Sequence, residues 1–343
     1  MKKLCYHIIL IICFSQQLSA QDIHVSQFYE TPLMRNPALA GIFTGHVRIQ
    51  SVHRTQWSFT GFGYQTTALS GEYKFPVGYG YDFMTVGMQT FYDVAGNTRL
   101  KTLQVMPALN FHKALSGTKT EYLSGGFMVG MVQRQFDLNN LTFNNQYVNG
   151  EFNQNASSGE SFSSVNRKVL DMAAGLSYNS EIGESGSYYL GASLYHINQP
   201  TESFKDDKIQ LPSKTQINAG LHLKMTENMD MVAELNYSKQ GSYNEVMLGG
   251  IWSFQLNDNY TNTESEEGLE KISLGIGGFI RLQDAFTPVV KMTYKRTEIG
   301  VSYDVNLSDL KKGSQGRGGY ELSLSYKFSR PSIELSKQFC PRF

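Results

Sequence analysis

Six histidines follow residue 20: His24, His46, His53, His112, His196 and His222. None stands at the HExxH or HxH spacing that sets two imidazoles on one metal ion, so no metal site is expected. Asn110-Phe111-His112 and His196-Ile197-Asn198 each pair an imidazole with an amide, two thirds of a Ser-His-Asn hydrolase on a barrel wall. No serine is marked by spacing to complete either set, and polar wall residues are common in any barrel. Gly125-Gly126-Phe127-Met128-Val129-Gly130 lacks the Lys-Ser/Thr of a phosphate loop, and small residues there read as letting strands curve. Cys340 is a lone thiol four residues from the end of the chain, and the reading gives it no catalytic role. No catalytic residue and no cofactor is expected.

The residues that would have to carry polar groups are set in period-2 alternation. In Leu170–Tyr178, Leu170, Met172, Ala174, Leu176 and Tyr178 share one face, and Asp171, Ala173, Gly175 and Ser177 the other. Ile217, Ala219, Leu221, Leu223 and Met225 oppose Gln216, Asn218, Gly220, His222 and Lys224. Tyr320, Leu322, Leu324, Tyr326 and Phe328 oppose Glu321, Ser323, Ser325 and Lys327. Such alternation predicts strands. Runs of about ten residues match the length that crosses a bilayer at a tilt.

The predicted strands are 46–56, 63–75, 81–92, 99–113, 121–133, 168–181, 186–197, 214–226, 229–239, 245–257, 268–282, 286–296, 297–306 and 318–329. The fold class is therefore all-β, a transmembrane antiparallel barrel of about 14 strands, an even number as bacterial barrels prefer. No apolar run after residue 20 is long enough for a spanning helix. Tyr73, Phe75, Tyr178, Tyr188, Tyr326 and Phe328 would form interfacial girdles. An even count puts both chain ends in the periplasm. Tight turns at Pro76–Gly80, Ile182–Ser185, Glu227-Asn228 and Arg296-Thr297 would face inward, and the long loops 134–167, 198–213 and 307–317 outward. The acidic stretch Asn259–Glu267 is the long exception on the inner side.

The chain opens with Met1-Lys2-Lys3, an apolar run Leu4–Phe14 and Gln17-Leu18-Ser19-Ala20, the layout of a cleaved secretory signal. The expected organisation is a signal at 1–20, an N-terminal segment at 21–45 that plugs the barrel or lines its periplasmic rim, the barrel at 46–329, and a tail at 330–343. Removing Lys2 and Lys3 leaves 28 basic against 30 acidic residues, which argues against a nucleic-acid partner. In the 134–167 loop, Phe136, Phe143, Tyr147, Phe152 and Phe162 punctuate an Asn/Gln/Ser/Gly background. They are candidates for partner binding, since polar loops rarely need five aromatics.

Several stretches resemble the PorP/SprF family of type IX secretion-associated outer-membrane proteins of Bacteroidetes. They are His24-Val25-Ser26-Gln27-Phe28-Tyr29, Asn36-Pro37-Ala38-Leu39-Ala40-Gly41 and Arg54-Thr55-Gln56-Trp57. Tyr189–Ser193 with His196-Ile197-Asn198-Gln199-Pro200, Arg281 with Asp284-Ala285, and Val301-Ser302-Tyr303-Asp304-Val305-Asn306 follow. Gly318–Leu322 and Cys340-Pro341-Arg342-Phe343 close the resemblance, which covers nearly the whole chain after residue 20. It implies an outer-membrane barrel that supports secretion or anchoring of one large surface protein, such as a gliding-motility adhesin, with a type B C-terminal domain. It also implies contact with periplasmic ring components of that machine. The alternative is a passive or substrate-selective channel. Asn36-Pro37 reads as a turn, and Trp57 as closing the first strand at the outer interface. Phe343, or Phe328 in its stead, is the kind of aromatic that barrel-assembly machinery recognises.

Overall fold

The computed structural model describes residues 22–57, 63–78, 80–96, 98–115, 120–138, 141–148, 150–153, 155–162, 164–183, 185–205, 209–256, 272–308 and 311–328. The signal segment, the acidic stretch 259–267, Pro341, Phe343 and the tail lie outside them.

Alternation becomes a wall. The strands are β1 (Val47–Gln56), β2 (Tyr64–Pro76), β3 (Phe83–Ala95), β4 (Leu100–Ala114), β5 (Glu121–Gln135), β8 (Asn166–Ile182) and β9 (Gly186–Tyr195). The second half holds β10 (Lys214–Thr226), β11 (Met229–Gln240), β12 (Tyr243–Gln255), β13 (Ile272–Arg281), β14 (Ala285–Tyr294), β15 (Thr297–Asn306) and β16 (Arg317–Phe328). These fourteen form one closed antiparallel barrel, β1 pairing with both β2 and β16. Closure leaves no strand edge unpaired, the condition for sheet backbone in lipid. A short ribbon, β6 (Tyr147–Val148) and β7 (Glu151–Phe152), sits in the loop after β5.

The outward face carries Leu109, Leu176, Leu190, Ile217, Trp252, Ile276, Val290 and Leu322, all exposed. An apolar girdle this continuous is a surface for lipid. Tyr73 stacks on Phe75, and Tyr178 stands beside Tyr188 near the turn that joins β8 to β9.

The strand windows predicted for 214–226 and 297–306 coincide with β10 and β15. The turn expected at Arg296-Thr297 lies one residue earlier, at Lys295-Arg296, because Lys295 takes the left-handed conformation (φ 56°) and Thr297 already pairs with Tyr294.

A second correction concerns the chain ends. The start of β1 and the end of β16 do lie together at the short-turn end, Val47 pairing with Phe328. Asp22, however, bonds Gln240 and pairs with His196 and Lys214, all at the long-loop end. Residues 22–46 therefore run the length of the interior, so the even strand count sets β1 beside β16 but leaves Asp22 at the opposite end from Phe328.

Candidate functional site

Residues 22–43 lie inside the barrel, built around three short helical turns, Phe28–Glu30, Pro32–Arg35 and Pro37–Leu39. Asn36 is extended (φ −162°), as the residue before a proline must be, and its Oδ1 accepts from the Ala38 N–H to cap the turn Pro37–Leu39. Its Nδ2 donates to the carbonyls of Leu176 (3.1 Å) and Ala192 (3.3 Å), tying the turn to β8 and β9. Two glycines make room. A Cβ on Gly126 would stand 2.4 Å from the Pro37 carbonyl carbon, and Gly41, at φ 85°, packs on Thr85 while its N–H donates to Glu72. Gly126 thus serves close approach of another backbone rather than strand curvature alone.

Three apolar contacts anchor the lower part. Phe28 packs with Met247, Ile251, Phe279 and Val289, and Tyr29 stacks on Phe279 at 4.9 Å. Leu33 and Ala40 sit among Met106, Ala108, Met128, Ala173 and Tyr195. Leu39 and Ile42 cover Tyr189.

Charged groups complete the seat. Arg35 donates to Glu234 (2.9 Å) and Tyr189 (2.8 Å). Glu30 accepts from Lys291 and Gln50. Arg48 pairs with Glu72, and Phe43 lies under both Arg48 and Lys74. Counting these contacts with those below, the segment reaches every strand of the barrel.

The densest cluster lies toward the long-loop end. Arg54, 1% exposed, donates to Glu321, to Asp304 (2.7 Å) and to Ser26 Oγ (2.6 Å). Arg281 bonds Asp284 and Asp304, and Thr287 donates to Asp304. The backbone N–H groups of Ser26 and Gln27 donate to the two oxygens of Glu321 at 2.6 and 2.7 Å. The ladders on both sides of Asp304 are irregular: the β14–β15 register skips Thr287 and Pro288, and β15–β16 shifts between Tyr303 and Val305. Irregularities of this kind re-aim a side chain. Here Tyr303 faces outward and Asp304 inward.

At the long-loop mouth His196 (φ 55°) lies 2.7 Å from Asp22 and 2.9 Å from Asp171. Burial works against its charge, yet the two carboxylates raise its pKa to about 10. Burial, with Arg281 and Arg54 nearby, holds the His24 imidazole well below its usual range. Asn198 donates to the Leu170 carbonyl, and Pro200 accepts from Leu211, so this motif builds the base of the 196–213 loop. Asn306 bonds Ser314 and the Arg317 carbonyl, fastening the 307–316 loop. Trp57 (φ 50°) meets Tyr64 edge-on beyond β1, and Gln56 pairs with Gly319.

The serine that spacing did not mark is Ser124, whose Oγ lies 2.7 Å from His112 Nδ1, with Asn110 on Nε2 at 3.0 Å. Ser124, His112 and Asn110 are all buried, so the hydroxyl presents no surface to a substrate. The ring is stacked 3.9 Å from Phe83, and Asn110 donates to the carbonyls of Ala38 and Ala40. This set holds the interior segment.

The five loop aromatics divide. Phe136, Phe143 and Phe162 pack with Phe204 into a half-buried cluster, Phe136 to Phe204 at 4.8 Å. Tyr147 and Phe152, 57% and 43% exposed, face each other on the β6–β7 ribbon. Sequence reasoning missed Glu30, Arg35, Glu72, Glu234 and Lys291. Their signal was opposite charges on inward strand positions and on the N-terminal segment.

A closed barrel with a lipid-facing girdle and a polar, occupied interior defines an outer-membrane β-barrel protein. The chain belongs to the family of type IX secretion system membrane proteins PorP/SprF, whose model matches residues 17–326. Among solved structures it is similar to the toluene transporter TbuX of Ralstonia pickettii (TM-score 0.50, 11% identity, 88% of this chain and 94% of that one). A Pseudomonas aeruginosa FadL homologue gives a TM-score of 0.49 at 11% identity over 85% and 93% of the two chains. The Pseudomonas putida toluene transporter TodX gives 0.47 at 8% over 86% and 91%. At these identities the likeness speaks to fold alone. No curated protein matches in sequence.

Proposed function

We propose that this barrel is a non-enzymatic partner of the type IX machine that supports secretion or surface anchoring of one cognate large surface protein, an adhesin with a type B C-terminal domain. The observation that carries this reading is the interior segment in contact with every strand, which suits a barrel that presents loops rather than one that conducts. The exposed Tyr147 and Phe152 ribbon, which begins four residues after the clustered Phe143, supports an outward docking role. Periplasmic ring components would meet the short-turn end.

The test is a crosslinked pull-down of the tagged protein from native outer membrane. One abundant surface protein carrying a type IX C-terminal domain should be recovered, and deleting the barrel should remove it from the surface. A barrel recovered alone, with an unchanged surface profile on deletion and measurable single-channel conductance, would instead mark a passive or substrate-selective channel.

A further inference from the structure

The interior segment is held in two different ways. Residues 28–43 carry the apolar anchors Phe28, Leu33, Leu39, Ala40 and Ile42. Residues 22–27 are held chiefly by polar contacts: Asp22 by His196, Lys214 and Gln240, His24 beside Glu245, and Ser26 and Gln27 by the Arg54–Asp304–Glu321 cluster. That outer part lies at the mouth where the long loops stand.

The contacts to residues 26 and 27 describe a peptide-binding site. Glu321 receives two successive backbone N–H groups, as it would from any non-helical chain in that pose. Asp304 and Arg54 take the two sides of one hydroxyl, Ser26 Oγ. The Gln27 carboxamide is read at both ends, Nε2 donating to Ser302 Oγ (3.1 Å) and the Glu321 carbonyl, and Oε1 accepting from Ser323 (2.7 Å). Gly300 leaves that carboxamide its space, since a Cβ there would stand 2.7 Å from Oε1. Hydrogen bonds of this kind are made equally well by another chain that offers the same donors and acceptors, whereas an apolar anchor gains nothing from water in its place.

We infer that Asp22–Gln27 is an exchangeable internal ligand, and that the vestibule it fills binds an extended peptide with a hydroxyl residue followed by a carboxamide residue, supplied by the surface protein. Only the source of that peptide rests on the function proposed above. The exchange itself requires no secretion machinery.

The experiment uses the full chain in intact cells with Cys340→Ser, carrying His24→Cys or, separately, Thr31→Cys, and a membrane-impermeant maleimide. Heat-modifiable gel mobility confirms that each variant is folded, and Ile23→Cys replaces His24→Cys if needed. Labelling at 24 should occur from outside while 31 stays protected. A synthetic peptide of residues 22–31 should raise the rate at 24 at least tenfold and saturably. It must be supplied at millimolar concentration, because a tethered segment competes at an effective concentration of about that order. The same peptide with Ser26→Ala and Gln27→Ala should have no effect. Labelling at 24 only after the outer membrane is opened, equal labelling at 24 and 31, or no response to the peptide would each overturn the inference. A peptide effect without any recovered surface protein would keep the vestibule and refute only the secretion-partner reading.

Discussion

The segment before β1 and the loop between β5 and β8 are similar in kind: neither alternates, and both mix aromatics with polar residues. Their fates are opposite. Phe28 meets Phe279 edge-on and Tyr29 stacks on it inside the barrel, with Arg35, Glu30 and Asn36 bonded to wall residues. Tyr147 and Phe152 stand in the open, on a ribbon that begins four residues after the clustered Phe143. What separates the two is complementarity elsewhere. The wall offers the first segment glycines for backbone approach, apolar patches and charges of the opposite sign. The loop packs on itself and on its neighbours Phe204 and Lys205. A polar interior can be as specific as an apolar core when each group has its counterpart.

The comparison breaks hardest at Arg54. Arg54→Ala leaves Glu321 and Asp304 buried with less compensation, and should cost about 3–5 kcal/mol in urea unfolding of the detergent-folded barrel. It should also free the outer half of the segment for labelling. Gly126→Ala drives a methyl group into Pro37 and should cost about 1–3 kcal/mol. Conductance in planar bilayers should then rise above that of the wild type.

A nitroxide on Ile23→Cys sharpens the contrast within the segment, read by spin-label mobility against pH. The His196 pKa is raised to about 10, so its stabilisation is complete below about pH 6.5 and lost as the pH climbs through 10. Burial, with Arg281, Arg54 and Lys214 nearby, depresses His24 against the opposing Glu245 carboxylate at 3.5 Å, so the released form binds the proton better and seating weakens as the pH falls below about 6.5. Mobility should rise at both extremes, and His24→Asn should flatten the acid limb alone. A flat profile would remove both histidines from the latch.

The smallest stability effect belongs to the loop. Tyr147→Ala with Phe152→Ala should change unfolding by about 0.5 kcal/mol or less per site, as exposed substitutions do. Recovery of the surface protein in the pull-down should nevertheless fall at least fivefold. Unchanged recovery would leave the ribbon without a docking role.

The wall was legible because its signal is local. Alternation in Lys214–Thr226 reports which face each residue takes from its immediate neighbours, and β10 follows it from Thr215 to Gly220, short of the bulge between Lys224 and Thr226. The same locality explains the shifted turn at Lys295-Arg296, where polar residues flank either choice and only left-handed backbone at Lys295 decides. The family motifs were legible as sequence, yet not as geometry. Ser26 meets Asp304 across 278 positions and Gln27 meets Glu321 across 294. No periodicity within the segment announces partners that far away.

The sequence by itself therefore determined the barrel, its strand number, its lipid face and its family, since each depends on short-range pattern or on motif identity. The tertiary structure alone decided that residues 22–43 pass through the interior toward the long-loop mouth. It also decided that Ser124 and His112 serve as a post for that segment, and that two of five loop aromatics are free to touch a partner. Those outcomes depend on which side chains meet once the barrel closes, and closure is a property of all fourteen strands together.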